Sequence, residues 1–233
     1  MSPWPPLAVF FCSLILSMVS SLVLSSGLEK IGARLNFSPG LLGFVTALGA
    51  DAPEIAAVVS ALAAGHVDLG MGVVFGSNIF NLAALLGLSA VLAGRITVGR
   101  EGMLLDGIVA VLVTSLGVAL VLGALSGPMA LLLLGLLLIP YLVLTSLGSS
   151  APRRTPFLPR AVRGYLSKAL TQVMHDARED STPPRASLHD VLSVLPAVVS
   201  IVLASIGMVQ SAVELSARWR LPHAAVGALL LAV

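Results

Sequence analysis

The sequence predicts an all-α integral membrane protein, and three observations lead to this class. Of the 233 residues, 57 % are hydrophobic and 10 % are charged, and the mean hydropathy is +1.02, which is typical of chains with many membrane spans. The apolar runs are long and lack the alternation of barrel strands. In lipid, a segment that is not a barrel strand can satisfy its backbone hydrogen bonds only as a helix. The net charge of +2 does not indicate nucleic-acid binding, and the single cysteine, Cys12, excludes a disulfide within the chain.

The apolar runs divide into six candidate spans, each close to the roughly 20 residues that a helix needs to cross a bilayer. They are predicted at Leu7–Ser26, Gly40–Ala64, Leu69–Ala93, Gly102–Gly123, Gly127–Leu147 and Leu188–Val213. A last run, Ala224–Val233, is too short to cross. The N-terminal residues MSPWPP carry no positive charge, so the first span is not expected to be a cleaved signal peptide.

The positions of Lys and Arg predict the orientation of these spans. The loop Ser149–Ser187 contains seven Lys and Arg residues, so it is expected in the cytoplasm. Counting spans from this loop places the N-terminus and the turn GHVD outside. Arg218 and Arg220 would also lie outside, against the rule. We expect a multi-pass protein of the cell (inner) membrane, with the lipid bilayer as its surroundings.

Two segments of the chain resemble each other. Ser26–Val45 and Ser211–Leu229 both contain Glu, then Ala-Arg, then a Pro-containing bend, and a Gly nine residues after the Arg. The arginines of this pattern are Arg34 and Arg218. The first copy enters its next span from inside and the second from outside, which is the inverted-repeat arrangement of many secondary transporters. The fold class predicted is therefore a broken-helix transporter with inverted repeats.

The second repeat is expected to be incomplete in this chain. Aligning the two copies places Val233 opposite Gly49, just before the acidic segment of the first copy. We interpret this as a fragment or a natural truncation that lacks the second half-site. The predicted layout is a first half at 1–148 with five transmembrane helices and the repeat unit at 40–93, a basic cytoplasmic loop at 149–187, and the start of the second, inverted half at 188–233.

The second span carries two acids at membrane depth, Asp51 and Glu54, with Pro53 between them. Pro53 cannot donate to the helix ladder, so the span should break there and restart. Asp51 and Glu54 then fit a capping box for the restarted helix. The break should free carbonyl groups around Ala47 and Leu48, and should point a positive helix end inward.

The third span supplies further oxygen atoms. Ser77 and Asn81 are four residues apart and share one helix face, whereas Asn78 lies on a neighbouring face and is a candidate for hydrogen bonding between helices. Carboxylate, amide and carbonyl oxygens suit Na⁺ and Ca²⁺ rather than zinc or copper. No Lys or Arg occurs between residues 34 and 95, so Glu54 needs either a proton or a metal ion. Two alternatives stay open: Asp51 is only a helix cap, or Ser77 and Asn81 only join helices.

Two motifs carry a family resemblance. Gly49–Glu54 reads GADAPE and Gly76–Asn81 reads GSNIFN. The chain resembles the calcium/cation antiporter superfamily, of the sodium/calcium exchanger type, whose first α-repeat has G-[TS]-S-x-P-E on a broken helix and G-S-N-x-x-N on the next. The resemblance covers about the first 150 residues. The hydroxyl pair of the first family motif is replaced here by Ala50 and Asp51, which leaves the coupling ion open between Na⁺, H⁺ and another cation.

The resemblance implies a ten-helix fold of two inverted halves with a cation site at their interface. Glu54 would be the main calcium carboxylate and Ala47 would offer a backbone carbonyl. The full set of metal ligands implied is Glu54, Asn81, Ser77, Asp51 and Ala47.

The function expected is secondary active antiport of Ca²⁺, or a similar cation, against Na⁺ or H⁺. The partners expected are inorganic cations and the bilayer, with no nucleic acid and no cofactor besides the transported ions. The alternative is a non-transporting membrane interaction protein, or a half-transporter fragment without a complete ion site. An enzyme is not expected, because acid–base catalysis sets its groups across a substrate, and Asp51 and Glu54 are three residues apart on one segment.

Overall fold

The computed structural model describes residues 4–81, 83, 87–93, 100–147 and 188–232. These residues form helices joined by short turns, and the described part contains no strand, which confirms the all-α prediction. The helices are α1 (Trp4–Arg34), α2 (Pro39–Ala50), α3 (Ala52–Ala63), α4 (Val67–Phe80), α5 (Gly87–Ala93), α6 (Arg100–Val121), α7 (Gly127–Leu147), α8 (Leu188–Trp219) and α9 (His223–Val226), followed by a π-helical turn at Gly227–Leu231. The predicted basic loop at 149–187 and the Arg95 loop lie outside the described residues.

Three segments are long and apolar enough to cross a membrane. They are α1, Asp190–Trp219 within α8, and α2 and α3 taken as one bent span. The pair Gly40–Ala50 and Ala52–Ala63 bends by 52° at its break. Shorter apolar helices at Val67–Phe80, Gly107–Val121 and Gly127–Val143 coincide with parts of the third, fourth and fifth predicted spans. The chain is therefore an integral membrane protein with one broken span among its described helices.

The helices fall into two compact units. The first unit comprises Met1–Gly32, Val45–Ile96 and Arg185–Val233, and the second comprises Ala33–Phe44 and Thr97–Pro184. In the first unit, α8 packs against α3, and α9 and the π-helical turn pack against α4. In the second unit, α6 packs against α7. The acidic break and the polar motif of α4 both belong to the first unit.

The first unit buries small side chains and turns large apolar ones outward. Ser17, Ser205 and Ala212 are at most 1 % exposed, whereas Leu22 and Leu195 are each 71 % exposed. Small residues let helices approach closely where lipid removes the hydrophobic drive for large ones to be inside. The largest fully buried side chains of the unit are Leu69, Ile201, Leu215, Val73 and Val226.

Helices α1 and α8 run antiparallel within the first unit. A Cβ on Gly27 would lie 3.0 Å from Val194 Cγ2, and a Cβ on Gly207 would lie 2.6 Å from Ser13 Oγ. Near the Gly27 end, Lys30 Nζ forms an ion pair with Asp190 Oδ1 at 2.7 Å. Early residues of one helix therefore contact late residues of the other, which is the relation expected of an inverted repeat.

The turns that follow α1 and α8 share an uncommon backbone conformation. Asn36 has φ 56° and Arg220 has φ 55°, and each lies two residues after the arginine of the repeated pattern, Arg34 or Arg218. Positive φ is uncommon outside glycine. The same backbone geometry at the same place in both segments supports the predicted internal repeat.

Several turns between the helices follow from local sequence. Ser38 Oγ accepts a hydrogen bond from the Leu41 N–H at 3.3 Å, which caps the start of α2. Gly65 has φ +81° and ends α3, because a residue with a Cβ is disfavoured in that conformation. The rings of His66 and His223 are in contact, with centroids 5.4 Å apart. The GHVD turn and the start of α9 therefore lie at the same end of the unit, as the span count predicts.

Candidate cation site

The second span is interrupted at the residues that the sequence predicts. Helix α2 ends at Ala50, α3 begins at Ala52, and Asp51 lies between them with φ −82° and ψ 2°. Pro53 is the second residue of α3, where the lack of an N–H costs least. The two helices are bent by 52° at this point, so α3 does not continue the axis of α2. The predicted helix break is confirmed.

Asp51 does not cap the restarted helix with its side chain. It occupies the N-cap position and Glu54 the third helical position, yet no side-chain cap hydrogen bond forms. The predicted capping box is therefore wrong as a hydrogen-bonded motif, although its positions are right. Since the Asp51 carboxylate makes no cap bond, the interpretation of Asp51 as only a cap loses its support.

The carbonyl groups that the break frees are not the ones predicted. The Asp51 N–H still donates to the Ala47 carbonyl at 2.9 Å, so Ala47 stays in the helix ladder, and it does not line the cavity described below. The reason is the register of the proline: Pro53 removes the donor that a carbonyl four residues earlier would use, and that residue is Gly49. The expectation of a freed carbonyl at Ala47 is wrong.

A serine of α1 takes the place of the missing backbone donors. Ser21 Oγ lies 3.2 Å from the Gly49 carbonyl oxygen and 3.0 Å from the Ala50 carbonyl oxygen, and Ser25 Oγ donates to the Thr46 carbonyl at 3.2 Å. The hydroxyl groups of α1 therefore hold the broken end of α2. Sequence reasoning missed them. The available signal was the spacing of Ser17, Ser21 and Ser25, which repeats every four residues and so shares one face of an apolar helix.

The polar groups of α4 donate within their own helix. Ser77 Oγ donates to the Val74 carbonyl at 3.3 Å, and Asn78 Nδ2 donates to the same carbonyl at 2.7 Å. Within the part of the chain that the structure describes, the Asn78 amide donates to its own helix and not to another one, contrary to the expectation. A hydroxyl or amide that donates in this way keeps its oxygen lone pairs for a ligand. At Asn81 the helix widens into π-helical geometry, a feature frequent at functional sites.

Four of the five predicted ligands line one cavity of about 300 Å³ between α3 and α4. Its polar lining is Asp51, Glu54, Ser77, Asn78 and Asn81, and its apolar lining is Ile55, Val58, Val59 and Val74. The cavity thus contains two carboxylates, a hydroxyl and two side-chain amides. Such hard oxygen donors are the ligands that Ca²⁺ and Na⁺ take in proteins.

Glu54 has a carboxylate oxygen that lacks a partner. Its Oε2 is buried and accepts no hydrogen bond in the structure, and no Lys or Arg lines the cavity. An ionised carboxylate is costly to bury unless a positive charge or donors accompany it. The site therefore requires a cation or a proton at Glu54. The described residues contain no group of three or more His, Cys, Asp or Glu side chains that could hold a metal ion.

Glycines set the position of α4. A Cβ on Gly76 would lie 2.6 Å from both the Cα and the carbonyl oxygen of Ala228, and a Cβ on Gly72 would overlap the Ala224 carbonyl oxygen. Gly76 is also the first residue of the GSNIFN motif. Only glycine allows this approach, so the motif glycine brings α4 against the π-helical turn one residue before Ser77.

A span broken at paired carboxylates, beside a helix that carries hydroxyl and amide groups, defines a membrane protein of the broken-helix transporter class. The sequence profile of the family described as "Sodium/calcium exchanger protein" matches residues 5–147. Because the match covers more than half of the 233 residues, the chain belongs to the sodium/calcium exchanger family. The resemblance predicted from GADAPE and GSNIFN is confirmed.

Two curated proteins illustrate this similarity. The chain is 34 % identical over 91 residues to "Putative antiporter CaxA" of Alkalimonas amylolytica, and the aligned residues make up 39 % of this chain and 28 % of that protein. It is 36 % identical over 70 residues to "Sodium/potassium/calcium exchanger 4" of Homo sapiens, and this alignment covers 30 % of this chain and 11 % of that protein. The chain thus matches less than a third of the length of either relative. No solved structure matches it.

Proposed function

We propose that this chain carries a cation-binding half-site of a secondary antiporter that exchanges Ca²⁺, or a similar cation, for Na⁺ or H⁺. The observation that carries the proposal is the cavity between α3 and α4, in which two carboxylates and three neutral side-chain oxygen donors meet beside a helix break. Two carboxylates balance the charge of one divalent cation. The names of the relatives, an antiporter and a sodium/potassium/calcium exchanger, agree with this class of function.

Each lining residue has a role in the proposal. Glu54 is the main carboxylate ligand because its Oε2 is buried without a partner. Asp51 supplies the second negative charge, and Ser77 and Asn81 supply neutral oxygen ligands from α4. Ala47 is given no ligand role in the proposal, because it does not line the cavity. In the proposed orientation the N-terminus and the His66–His223 end face the outside of the cell membrane.

A membrane interaction protein that does not move ions is the second candidate. It is favoured by one observation: the residues that line the cavity all come from the first copy of the repeat, whereas an inverted repeat implies oxygen donors from both copies. The two candidates differ in cation binding. A half-site with a buried, unpartnered carboxylate binds Ca²⁺ even where transport needs a second half, and an interaction protein does not.

The experiment that tests the proposal measures ⁴⁵Ca²⁺ binding to the purified chain in detergent. Glu54→Gln keeps the shape of the side chain and removes the charge, so the dissociation constant for Ca²⁺ should rise by about tenfold or more, because ligand charge sets Ca²⁺ affinity. Asp68→Asn is the matched control, since Asp68 is an exposed carboxylate in the first turn of α4 that does not line the cavity. Equal binding by Glu54→Gln and the parent chain would refute the assignment.

A further inference from the structure

Two histidine rings meet where the GHVD turn lies against the start of α9. The ring centroids of His66 and His223 are 5.4 Å apart, and the ring planes are tilted by 42° to each other. His66 is the residue directly before α4, and His223 is the first residue of α9. Neither ring lines the cavity between α3 and α4. The histidine pair is therefore separate from the candidate cation site.

The two imidazoles have nitrogen atoms that the fold does not use. His66 occupies the N-cap position of α4, yet its side chain forms no cap hydrogen bond. Nδ1 of His223 is buried and has no hydrogen-bond partner in the structure. Buried polar atoms are nearly always satisfied, so this nitrogen needs an explanation, such as a bound ion. A neutral imidazole offers one nitrogen lone pair, and histidine is the commonest metal ligand in proteins.

The separation of the rings fits two ligands of one metal ion. Zn²⁺ binds histidine nitrogens at about 2.0–2.1 Å in a tetrahedral arrangement, which places each ring centroid about 3.2 Å from the ion. Two such rings at the tetrahedral angle have centroids about 5.2 Å apart. The observed 5.4 Å is close to this distance. Imidazole nitrogens suit Zn²⁺, Cu²⁺ and Ni²⁺, whereas Ca²⁺ takes oxygen ligands.

Close backbone contacts hold the two histidines at this separation. A Cβ on Gly72 of α4 would overlap the Ala224 carbonyl oxygen, and a Cβ on Gly227 would overlap the Leu69 carbonyl oxygen. The start of α4 and the start of α9 are thus packed backbone against backbone beside the rings. A binding site on rigid, closely packed elements is organised before its ligand arrives.

We propose that His66 and His223 form a reversible binding site for a transition-metal ion such as Zn²⁺, which joins the repeat unit at 40–93 to the second copy of the repeat. The described residues bring no third His, Cys, Asp or Glu ligand to the pair, so water completes the coordination. In the proposed orientation the ion reaches this site from outside the cell membrane. The bound ion holds α4, one wall of the cation cavity, against α9. The inference is independent of the proposed function, because it uses neither carboxylate of the broken span.

The test measures ⁶⁵Zn²⁺ binding to the full chain in detergent, with excess Ca²⁺ present to occupy the oxygen-lined cavity. His66→Gln and His223→Gln should each raise the Zn²⁺ dissociation constant by about tenfold or more, because each removes one of two nitrogen ligands. The matched control is His189→Gln, since His189 lies at the start of α8, about 45 Å along that helix from the end that leads to α9. Zn²⁺ should also raise the melting temperature of the parent chain and the control, but not of the two variants.

An exchange of ligand separates metal coordination from simple ring packing. In a Cys12→Ser background, His66→Cys should keep Zn²⁺ binding, because a thiolate is also a zinc ligand. Co²⁺ bound to this variant should show a thiolate-to-metal charge-transfer absorption that the parent chain lacks. Absence of this absorption at saturating Co²⁺ would show that residue 66 does not contact the metal, and would overturn the site.

The outcomes separate this inference from the proposed function. Zn²⁺ binding that is unchanged in both glutamine variants, or equally reduced in His189→Gln, overturns the histidine site. Zn²⁺ binding that is lost in Glu54→Gln and kept in both histidine variants places the ion in the oxygen-lined cavity and also overturns it. A parent chain that binds Ca²⁺ but no Zn²⁺ overturns this inference and leaves the proposed function intact. A chain that binds Zn²⁺ through the histidines but no Ca²⁺ supports the histidine site and refutes the proposed function.

Discussion

At the scale of single residues, the carboxylates on either side of Pro53 differ in their surroundings. Glu54 lines two cavities, one between α3 and α4 and one on the side of α1, and has a buried, unpartnered oxygen, whereas Asp51 is exposed and lines only the first. Both acids lie within four residues of a helix break, but neither caps the restarted helix with a side-chain hydrogen bond. Their charges are thus left to a ligand, and we expect Glu54 to contribute more to binding than Asp51.

The first residue-scale prediction concerns Asp51. Asp51→Asn should raise the Ca²⁺ dissociation constant several-fold, because the cavity loses one of two negative charges, but less than Glu54→Gln does. Equilibrium titrations with ⁴⁵Ca²⁺ in detergent measure the dissociation constants of both variants. A fall in Ca²⁺ affinity as large as that of Glu54→Gln would show that the two carboxylates are equivalent.

At the scale of the helices, the conformation of the broken end of α2 depends on a contact with α1. Ser21 supplies the hydroxyl that the Gly49 and Ala50 carbonyls need after Pro53 has removed a backbone donor. The geometry of the break is therefore shared between two helices. A helix end at membrane depth has no water to satisfy it, so a neighbouring hydroxyl is the available substitute. The other wall of the site is α4, whose position is set by the close packing of Gly72 and Gly76 against α9 and the π-helical turn.

Removing the Ser21 hydroxyl should destabilise the chain. Ser21→Ala leaves the Gly49 and Ala50 carbonyls without that donor, at a cost of about 1–3 kcal/mol. The control Ser26→Ala removes a hydroxyl that bonds only to Val23 of its own helix, and should have little effect. Thermal unfolding in detergent, followed by circular dichroism, compares the two. Equal melting temperatures for both variants would show that Ser21 does not support the break.

A methyl group on Gly76 should disturb the packing of α4. Gly76→Ala places a Cβ 2.6 Å from the Ala228 backbone, and such overpacking costs about 1–3 kcal/mol. Gly117→Ala is the control, because a Cβ at this helical position of α6 meets nothing within 4 Å and alanine is the better helix former. The melting temperature should fall for Gly76→Ala and stay equal or rise for Gly117→Ala. The reverse order would contradict the close contact of α4 with the π-helical turn.

Local signals in the sequence were enough to place the helices and the break. Pro53 between two acids marks the interruption, and the four-residue spacing of Ser77 and Asn81 marks a common face, because both depend only on near neighbours. The partners of the freed carbonyls could not be predicted, since Ser21 reaches them only through the packing of α1 on α2. The break was expected to free carbonyl groups around Ala47 and Leu48, whereas the register of Pro53 removes the donor to the Gly49 carbonyl.

At the scale of the whole molecule, the chain carries an internal repeat whose two copies have opposite orientation. Helices α1 and α8 lie antiparallel in the first compact unit, and the left-handed residues Asn36 and Arg220 follow them at matching places. The Lys30–Asp190 ion pair joins the start of α8 to the last part of α1. These features relate the two segments of the chain by the symmetry that places cation sites at the middle of many transporters.

A disulfide should report the antiparallel arrangement. In a Cys12→Ser background, Ser13→Cys combined with Gly207→Cys should crosslink under mild oxidation, because the Cβ positions are 3.6 Å apart and disulfides need about 3.5–4.5 Å. Ser26→Cys combined with Gly207→Cys is the control, since Ser26 lies at the far end of α1. Mass spectrometry of the digested protein identifies the bond. Crosslinking of the control pair alone would require α1 and α8 to be parallel.

The most direct measurement of the central claim is a structure of the chain determined with Sr²⁺ in place of Ca²⁺, with the ion located by its anomalous scattering. We expect a peak in the cavity between α3 and α4, within about 2.3–2.7 Å of oxygen atoms of Glu54 and of Asn81 or Ser77, as hard divalent cations bind. A peak elsewhere, or an empty cavity at saturating Sr²⁺ with Glu54 turned towards lipid, would contradict it.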